Sequence, residues 1–450
     1  MQSDIEGRGG FLFNVNLVFL SQIVIYGLAF GLRVILARGL GDDGLGTYSL
    51  FFLVVIIAGG VANLGVGLGN IYFLNKGTYP YRVLLGGTLF VLGAASALGW
   101  VLLGVYAAVA GADLFVEGRS FWLYAAALPA VVAYVLLTSF LHGESRFMAL
   151  STVAVVQGAS AMLMAGGLYL ADELDVFGAL AVWAASFALA DVLAMAFIGL
   201  RNVDPAAVLR PQWGVLKEQV RYGAQGQAAN LAQLFNYRLD QFLVAAFVSR
   251  AGVGHYTVAV GLGESVWWLS SAVAMVLLPR LTRMEREDAE DMTPLVCRNT
   301  VLVSIGAAVA LGVVSSLLIR LLFGSEFSPA TTPLLLLLPG IIAASATRIL
   351  ASYLFSQGRI IYNTYATFIA LAVTIGLDLA LIPLLEVEGA ALASSIAYGC
   401  ALVATLYWYR RVSGRGAWEA LVFRPSDRHF YGDVLRRLRA RGRPAEKEAT

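Results

Sequence analysis

The chain has 450 residues, of which 59% are hydrophobic and only 13% charged, and its formal net charge is +2. A soluble protein of this length carries about a quarter charged residues to coat its surface, so a set of water-soluble domains and a disordered chain are both excluded. The apolar residues recur in blocks of about 20, the length of helix that crosses ~30 Å of hydrocarbon. The expected fold is an all-α polytopic membrane protein.

Twelve spans are predicted, over 11–34, 47–73, 83–110, 121–141, 149–170, 177–199, 220–248, 256–279, 299–319, 333–356, 361–384 and 389–409. Every backbone amide in a bilayer must bond internally, and these blocks are too long and too continuously apolar for barrel strands. The first block follows neither a cationic leader nor a small-residue cleavage site, so it reads as a retained span. Basic residues set the orientation. With the N-terminus inside, only Arg33, Arg38, Arg119, Arg250 and Arg320 fall on outer connections, while most of the 31 basic residues fall on inner connections or the tail. Both termini are therefore expected in the cytoplasm. Residues 1–200 form an N-terminal lobe of six helices, 201–219 a cytoplasmic linker, 220–410 a C-terminal lobe of six helices and 411–450 a basic cytoplasmic tail. Within the tail, Asp433-Val-Leu-Arg-Arg-Leu-Arg-Ala-Arg reads first as a solvated topology signal; binding to the anionic inner leaflet is the alternative.

The halves carry traces of duplication. Ala37, Gly44, Gly46 and Tyr48 recur 208 residues later as Ala245, Gly252, Gly254 and Tyr256, each set lying where an outer loop meets a long apolar helix. Gly178-Ala-Leu-Ala likewise resembles Gly389-Ala-Ala-Leu-Ala at the last helix of each half. An even number of spans per repeat makes both halves point the same way, with a pseudo-twofold axis along the membrane normal and a central cleft.

Polar residues inside spans mark that cleft, because a charged group at the bilayer centre costs about 2.5–3.5 kcal/mol. Span one carries Gln22, Tyr26 and Arg33 on one face, and span two carries Asn63 and Asn70. Asp191 lies in span six near its cytoplasmic end, where a packing or gating contact is expected. Span seven is the most polar. Gln227, Asn230, Gln233, Asn236, Arg238, Asp240 and Gln241 fall within an arc of roughly 200°, which cannot face lipid and is expected to line a water-filled cavity. Glu264 and Ser271 align on span eight, Arg348 stands beside Thr347 in span ten, and Asn363, Thr367, Thr374 and Asp378 form a stripe on span eleven. Plainer roles compete at several positions. Arg33 can snorkel to the outer headgroups, Arg238 and Asp240 can neutralise neighbours, and Asp378 can cap a break before Pro383. Cys297 and Cys400 fit no metal or redox spacing and the three histidines are scattered, so neither a metal nor a cofactor is expected. No phosphate-binding glycine-lysine loop is present, and no connection is long enough for a catalytic domain, so the chain reads as a transporter rather than an enzyme.

Several segments resemble a known family. Ala37-Arg-Gly-Leu-Gly-Asp-Asp-Gly-Leu-Gly-Thr-Tyr-Ser-Leu is similar to the first outer loop of polysaccharide-biosynthesis flippases of the O-antigen (Wzx-like) group, members of the multidrug/oligosaccharidyl-lipid/polysaccharide (MOP) superfamily. Leu239-Asp240-Gln-Phe-Leu, Val253-Gly-His-Tyr and Leu278-Pro279 resemble that family's seventh and eighth helices. Gln357-Gly-Arg359, Leu381-Ile-Pro383 and Glu388-Gly-Ala-Ala-Leu-Ala-Ser394 resemble its eleventh and twelfth. Asp378 departs from the pattern, standing where the family has an asparagine. The resemblance implies a flippase that moves polyprenyl-pyrophosphate-linked oligosaccharide from the inner to the outer leaflet of a bacterial or archaeal cytoplasmic membrane by alternating access. It implies that Arg33 and Arg238 hold the pyrophosphate, and the expected cavity adds Arg348. Expected partners are the lipid-linked oligosaccharide, the bilayer, Na+ or H+ read by Asp240, Glu264 or Asp378, and polysaccharide-assembly machinery, with no nucleic acid. A cation-coupled multidrug exporter of the same fold is the nearest competing reading, and a membrane-embedded glycan polymerase or ligase a more distant one.

Overall fold

The structure, a computed structural model, describes residues 2–110 and 120–422; Arg119 and the stretch from Asp433 in the tail lie outside the described residues. Among the described residues every regular element is helical. The first, α1 (Gln2–Ala62), runs through span one and most of span two with a single interruption at Gly41, where φ 68° and ψ −175° demand a residue without a Cβ. The loop expected between those spans is therefore one residue wide. Span two is itself broken, contrary to the unbroken helix expected over 47–73. Leu64 and Gly65 adopt positive φ, and Asn63 Oδ1 accepts the N–H of Gly67 at 3.1 Å, capping the new helix α2 (Val66–Lys76).

The chain continues through α3 (Tyr81–Ala110), α4 (Ser120–Gly143), α5 (Phe147–Leu170), α6 (Val176–Ile198) and the short α7 (Pro205–Leu209). Next come α8 (Trp213–Phe247), α9 (Arg250–Leu281), α10 (Arg286–Leu322) and α11 (Thr331–Ser356). The last two are α12 (Ile360–Ser413) and α13 (Ala417–Leu421). Helices α8 and α10 start well before the boundaries expected at 220 and 299. The added turns hold Lys217 and Glu218 in α8, and Glu287 and Asp288 in α10. Such residues form helix readily but look like a linker when only hydropathy is read. Helix α12 contains the junction of spans eleven and twelve, again as one residue, Glu386, at φ 51° and ψ −128°.

Among the described residues, nine helices are long and apolar enough to cross a membrane, with the broken α1 and α12 each counted once. The 35-residue α8 is not among them, because its polar face lowers its hydropathy. Leu163, Val313, Leu317 and Leu384 stand exposed on the outside of the bundle, an apolar coat that only lipid satisfies. The protein is a multi-pass membrane protein.

Packing differs between the two ends. Around Gly41, one buried cluster joins both halves of the chain, uniting Leu45, Phe51 and Trp183 with Tyr256, Phe323 and Phe327. At the opposite end the halves have separate clusters, one around Leu84, Phe140 and Val153 and another around Leu281, Ile349 and Tyr353. A cleft of about 1310 Å³ opens there between α2, the first turns of α8 and the α11–α12 connection, lined by Tyr72, Lys76, Glu218, Arg221 and Phe355. The molecule is closed at the Gly41 end; at the other, α8 packs on α2 with Gly65 against Gly223, and the cleft leaves a divided end only between this pair and the α11–α12 connection.

Candidate substrate cavity

The closed end is a seam between residues related by the 208-residue repeat. A Cβ on Gly46 would overlap the carbonyl oxygen of Arg250, and a Cβ on Gly254 would overlap that of Asp42. Each contact maps onto the other under the repeat offset. Thr257 Oγ1 donates at 3.2 Å to Ser49 Oγ, its own repeat counterpart. Around this close approach, His255 pairs with Asp42 at 3.1 Å, and the Arg38 guanidinium donates to the carbonyls of Leu322, at 2.8 Å, and Leu321. Small residues let membrane helices approach this closely.

Below the seam lies a cavity of about 360 Å³ walled by α1, α5, α6, α8 and α9. Arg33 from α1 and Arg238 from α8 both line it, together with Tyr48, Gln157 and Gln241. Glu264 of α9 pairs with Arg238 at 3.0 Å. The Arg33 guanidinium packs where a Cβ on Gly261 would sit, so the glycine lets it lie directly against α9. Tyr26, about two turns before Arg33 on α1, stacks on Trp268 of α9 at 4.6 Å between ring centroids. Two guanidiniums and no carboxylate line this cavity, a lining suited to an anion.

Arg348 stands elsewhere. It lines a second cavity of about 320 Å³ inside the C-terminal half, with Gln233, Asn236, Tyr237, Trp267, Asn363 and Tyr398. Its guanidinium donates to the Ser271 hydroxyl and lies over the Trp267 ring, 4.5 Å from the centroid. The expectation of three arginines in one set is corrected: α8 sends Tyr237 to one cavity and the adjacent Arg238 to the other.

The remaining polar residues divide between cavity walls and packed contacts. Gln233 accepts from Thr367 at 3.1 Å, and Asn236, almost fully buried, accepts from Thr374 at 3.0 Å. Asp240 is buried within the C-terminal half, where Oδ2 accepts from Tyr256 at 2.5 Å and from Ser394 at 3.1 Å, and Oδ1 accepts from the Gln241 N–H at 2.8 Å. Asp378 is fully buried, and neither of its oxygens has a hydrogen-bond partner among the described residues. Asn70 lines neither large cavity; it sits at 0% exposure, bonded to Ser139, Thr88 and Gln219, and ties α2 to α3, α4 and α8. Gln227 donates to the Gly60 carbonyl at 2.7 Å and, with Asn63 and Asn230, borders a smaller cavity of about 180 Å³. Gln22 is half-buried on α1, and Asp191 is half-buried on α6 with Oδ1 unpartnered among the described residues.

The aromatic wall of Tyr237, Trp267 and Tyr398 is absent from the polar stripes read in the sequence. Its one signal there was the Trp267-Trp268 pair in mid-helix, far from the interfacial positions where tryptophan is usual.

Helices carrying the Arg33 and Arg238 guanidiniums surround a cavity below the closed end. Residues 118–332 match the family described as "Polysaccharide biosynthesis protein". The fold is similar to that of the lipid II flippase MurJ in an inward closed conformation, with a TM-score of 0.72, 13% identity and coverage of 88% of this chain and 87% of that one. It is also similar to a multidrug resistance MATE family transporter of the MOP superfamily. The inward-facing conformation gives a TM-score of 0.69 at 13% identity, covering 87% of this chain and 94% of that one. An outward-facing MATE conformation gives 0.59 at 15% identity, covering 89% and 94%. No curated protein matches the chain. The family match covers just under half of the chain, and the fold it shares is that of MATE and MurJ transporters.

Proposed function

We propose that this protein is a flippase that carries polyprenyl-pyrophosphate-linked oligosaccharide from the inner to the outer leaflet of the cytoplasmic membrane, for assembly of a surface polysaccharide. The observation that carries the reading is that Arg33 and Arg238, contributed by the two halves of the chain, line the same cavity. A pyrophosphate and a sugar chain cannot cross hydrocarbon unaided, since each unpaired polar group costs several kcal/mol in an apolar medium. Arginines replace water on the phosphates, amides and hydroxyls replace it on the sugar, and the prenyl tail stays in lipid.

In this reading twelve helices, with both termini in the cytoplasm, form two lobes joined by the linker before α8. The divided end faces the cytoplasm and admits the headgroup. The lobes then rock, the divided end closes, and the glycine seam opens to release the headgroup outward. Asp240, Glu264 and Asp378 are the carboxylates that couple this cycle to a Na+ or H+ gradient, and Asp191 is a gating residue of the N-terminal lobe. An exporter of cationic drugs would need an acidic cavity, whereas two guanidiniums and no carboxylate line this one.

The test is translocation of a fluorescent lipid-linked oligosaccharide in proteoliposomes. Wild-type protein moves it, and Arg33→Gln and Arg238→Gln each slow it at least about tenfold, the loss of one charge-assisted hydrogen bond. Efflux of a cationic dye without movement of the glycolipid would overturn the reading.

A further inference from the structure

We infer that the second cavity, inside the C-terminal half, binds an acidic sugar residue, with Arg348 holding the sugar's carboxylate. The inference deepens the flippase reading, on which it rests only in taking the acidic sugar to be part of the transported headgroup.

Two observations converge on the ligand's chemistry. First, Arg348 is half-buried and forms no ion pair among the described residues, unlike Arg238, which is paired with Glu264. A charge held this deep stays costly until an anion joins it. Second, the walls alternate flat rings with amides. Tyr237 meets Trp267 edge-on at 4.8 Å, and Tyr398 lies 6.1 Å from each of them. A sugar ring presents just such a surface, with apolar C–H faces and a rim of hydroxyls.

The same features weigh against other occupants. A drug cation is repelled by Arg348, and a prenyl chain would leave the guanidinium without an anion. Pyrophosphate carries more charge than one arginine matches, and the cavity holding Arg33 and Arg238 suits it better. A single carboxylate pairs with a single guanidinium. Because Tyr237 and Arg238 are consecutive on α8, a diphosphate at Arg238 and a sugar beside Tyr237 lie on two sides of one helical turn.

Binding to the purified full-length protein in detergent, followed by titration calorimetry, separates these cases. The probes are a glucuronate-containing disaccharide, its neutral glucose counterpart and sodium pyrophosphate. The acidic disaccharide binds more tightly than the neutral one, and Arg348→Gln weakens it at least about tenfold while leaving pyrophosphate unchanged. Arg238→Gln does the reverse. Trp267→Phe shortens the aromatic wall by the five-membered ring of the indole; it weakens the acidic disaccharide severalfold, a second readout that does not depend on how the arginine variant folds. Equal binding of the acidic and neutral disaccharides, or loss of pyrophosphate rather than acidic sugar in Arg348→Gln, overturns the assignment. Arginine-dependent acidic-sugar binding by a protein that moves no lipid-linked glycan would leave the site standing and remove the flippase reading instead.

Discussion

Alanine at Gly254 drives a methyl group into the carbonyl oxygen of Asp42, and alanine at Gly46 drives one into the carbonyl oxygen of Arg250. Both obstacles are backbone atoms, so no rotamer change relieves the overlap and the two halves must part at the seam. Overpacking of this kind costs about 1–3 kcal/mol, which shifts the equilibrium away from the state closed at this end by roughly five- to hundredfold. Spin labels at Asp43→Cys and Ser325→Cys, both exposed near the seam on opposite halves, report the change by double electron–electron resonance, with Cys400 replaced to remove the more accessible native thiol. Each single glycine variant gains a population at longer distance. The double variant gains less than the sum, because the first substitution has already opened the shared contact. An unchanged distance distribution in both single variants would refute the claim that glycine contact holds this end shut.

Two further substitutions test the charges. Glu264→Gln removes the partner of Arg238, whose side chain is 24% exposed against 20% for Glu264. Solvent screening at that exposure limits the lost stability to about 1–3 kcal/mol, read as a lower thermal midpoint, while pyrophosphate binding tightens by roughly tenfold because a nearby negative charge is gone; weaker binding would contradict the cationic-cavity account. Asp378→Asn breaks no hydrogen bond among the described residues, so the thermal midpoint holds while transport loses its response to an imposed Na+ or H+ gradient. An undiminished response to both gradients would remove Asp378 from the coupling role.

Much of the architecture was legible because the bilayer permits so few solutions. Apolar block length located the helices, and the polar arc on α8 singled out the element that the span criterion omits. The 208-residue echo of Gly46 and Tyr48 led to the seam where Gly46 and Gly254 meet their reciprocal carbonyls. Helix starts were missed where charged turns extend α8 and α10, because hydropathy reports burial in lipid and not helicity. Periodicity also could not tell a cavity wall from a polar packing contact. Asn70 and Gln233 look alike as amides on a span, yet one knits four helices together in the dry interior and the other borders a cavity. The division of the arginines between two cavities depends on which way consecutive residues 237 and 238 project from α8, and on neighbours far away in the chain.

The central claim is that paired guanidiniums carry the pyrophosphate. Its most direct measurement compares translocation of two glycolipids that differ only in the linker, pyrophosphate or a neutral ether, by wild-type protein and Arg238→Gln in the same proteoliposomes. The account predicts that wild-type protein moves the pyrophosphate lipid at least about tenfold faster and that Arg238→Gln abolishes the difference. Equal rates for the two lipids in wild-type protein, or a preference that survives the substitution, would contradict it.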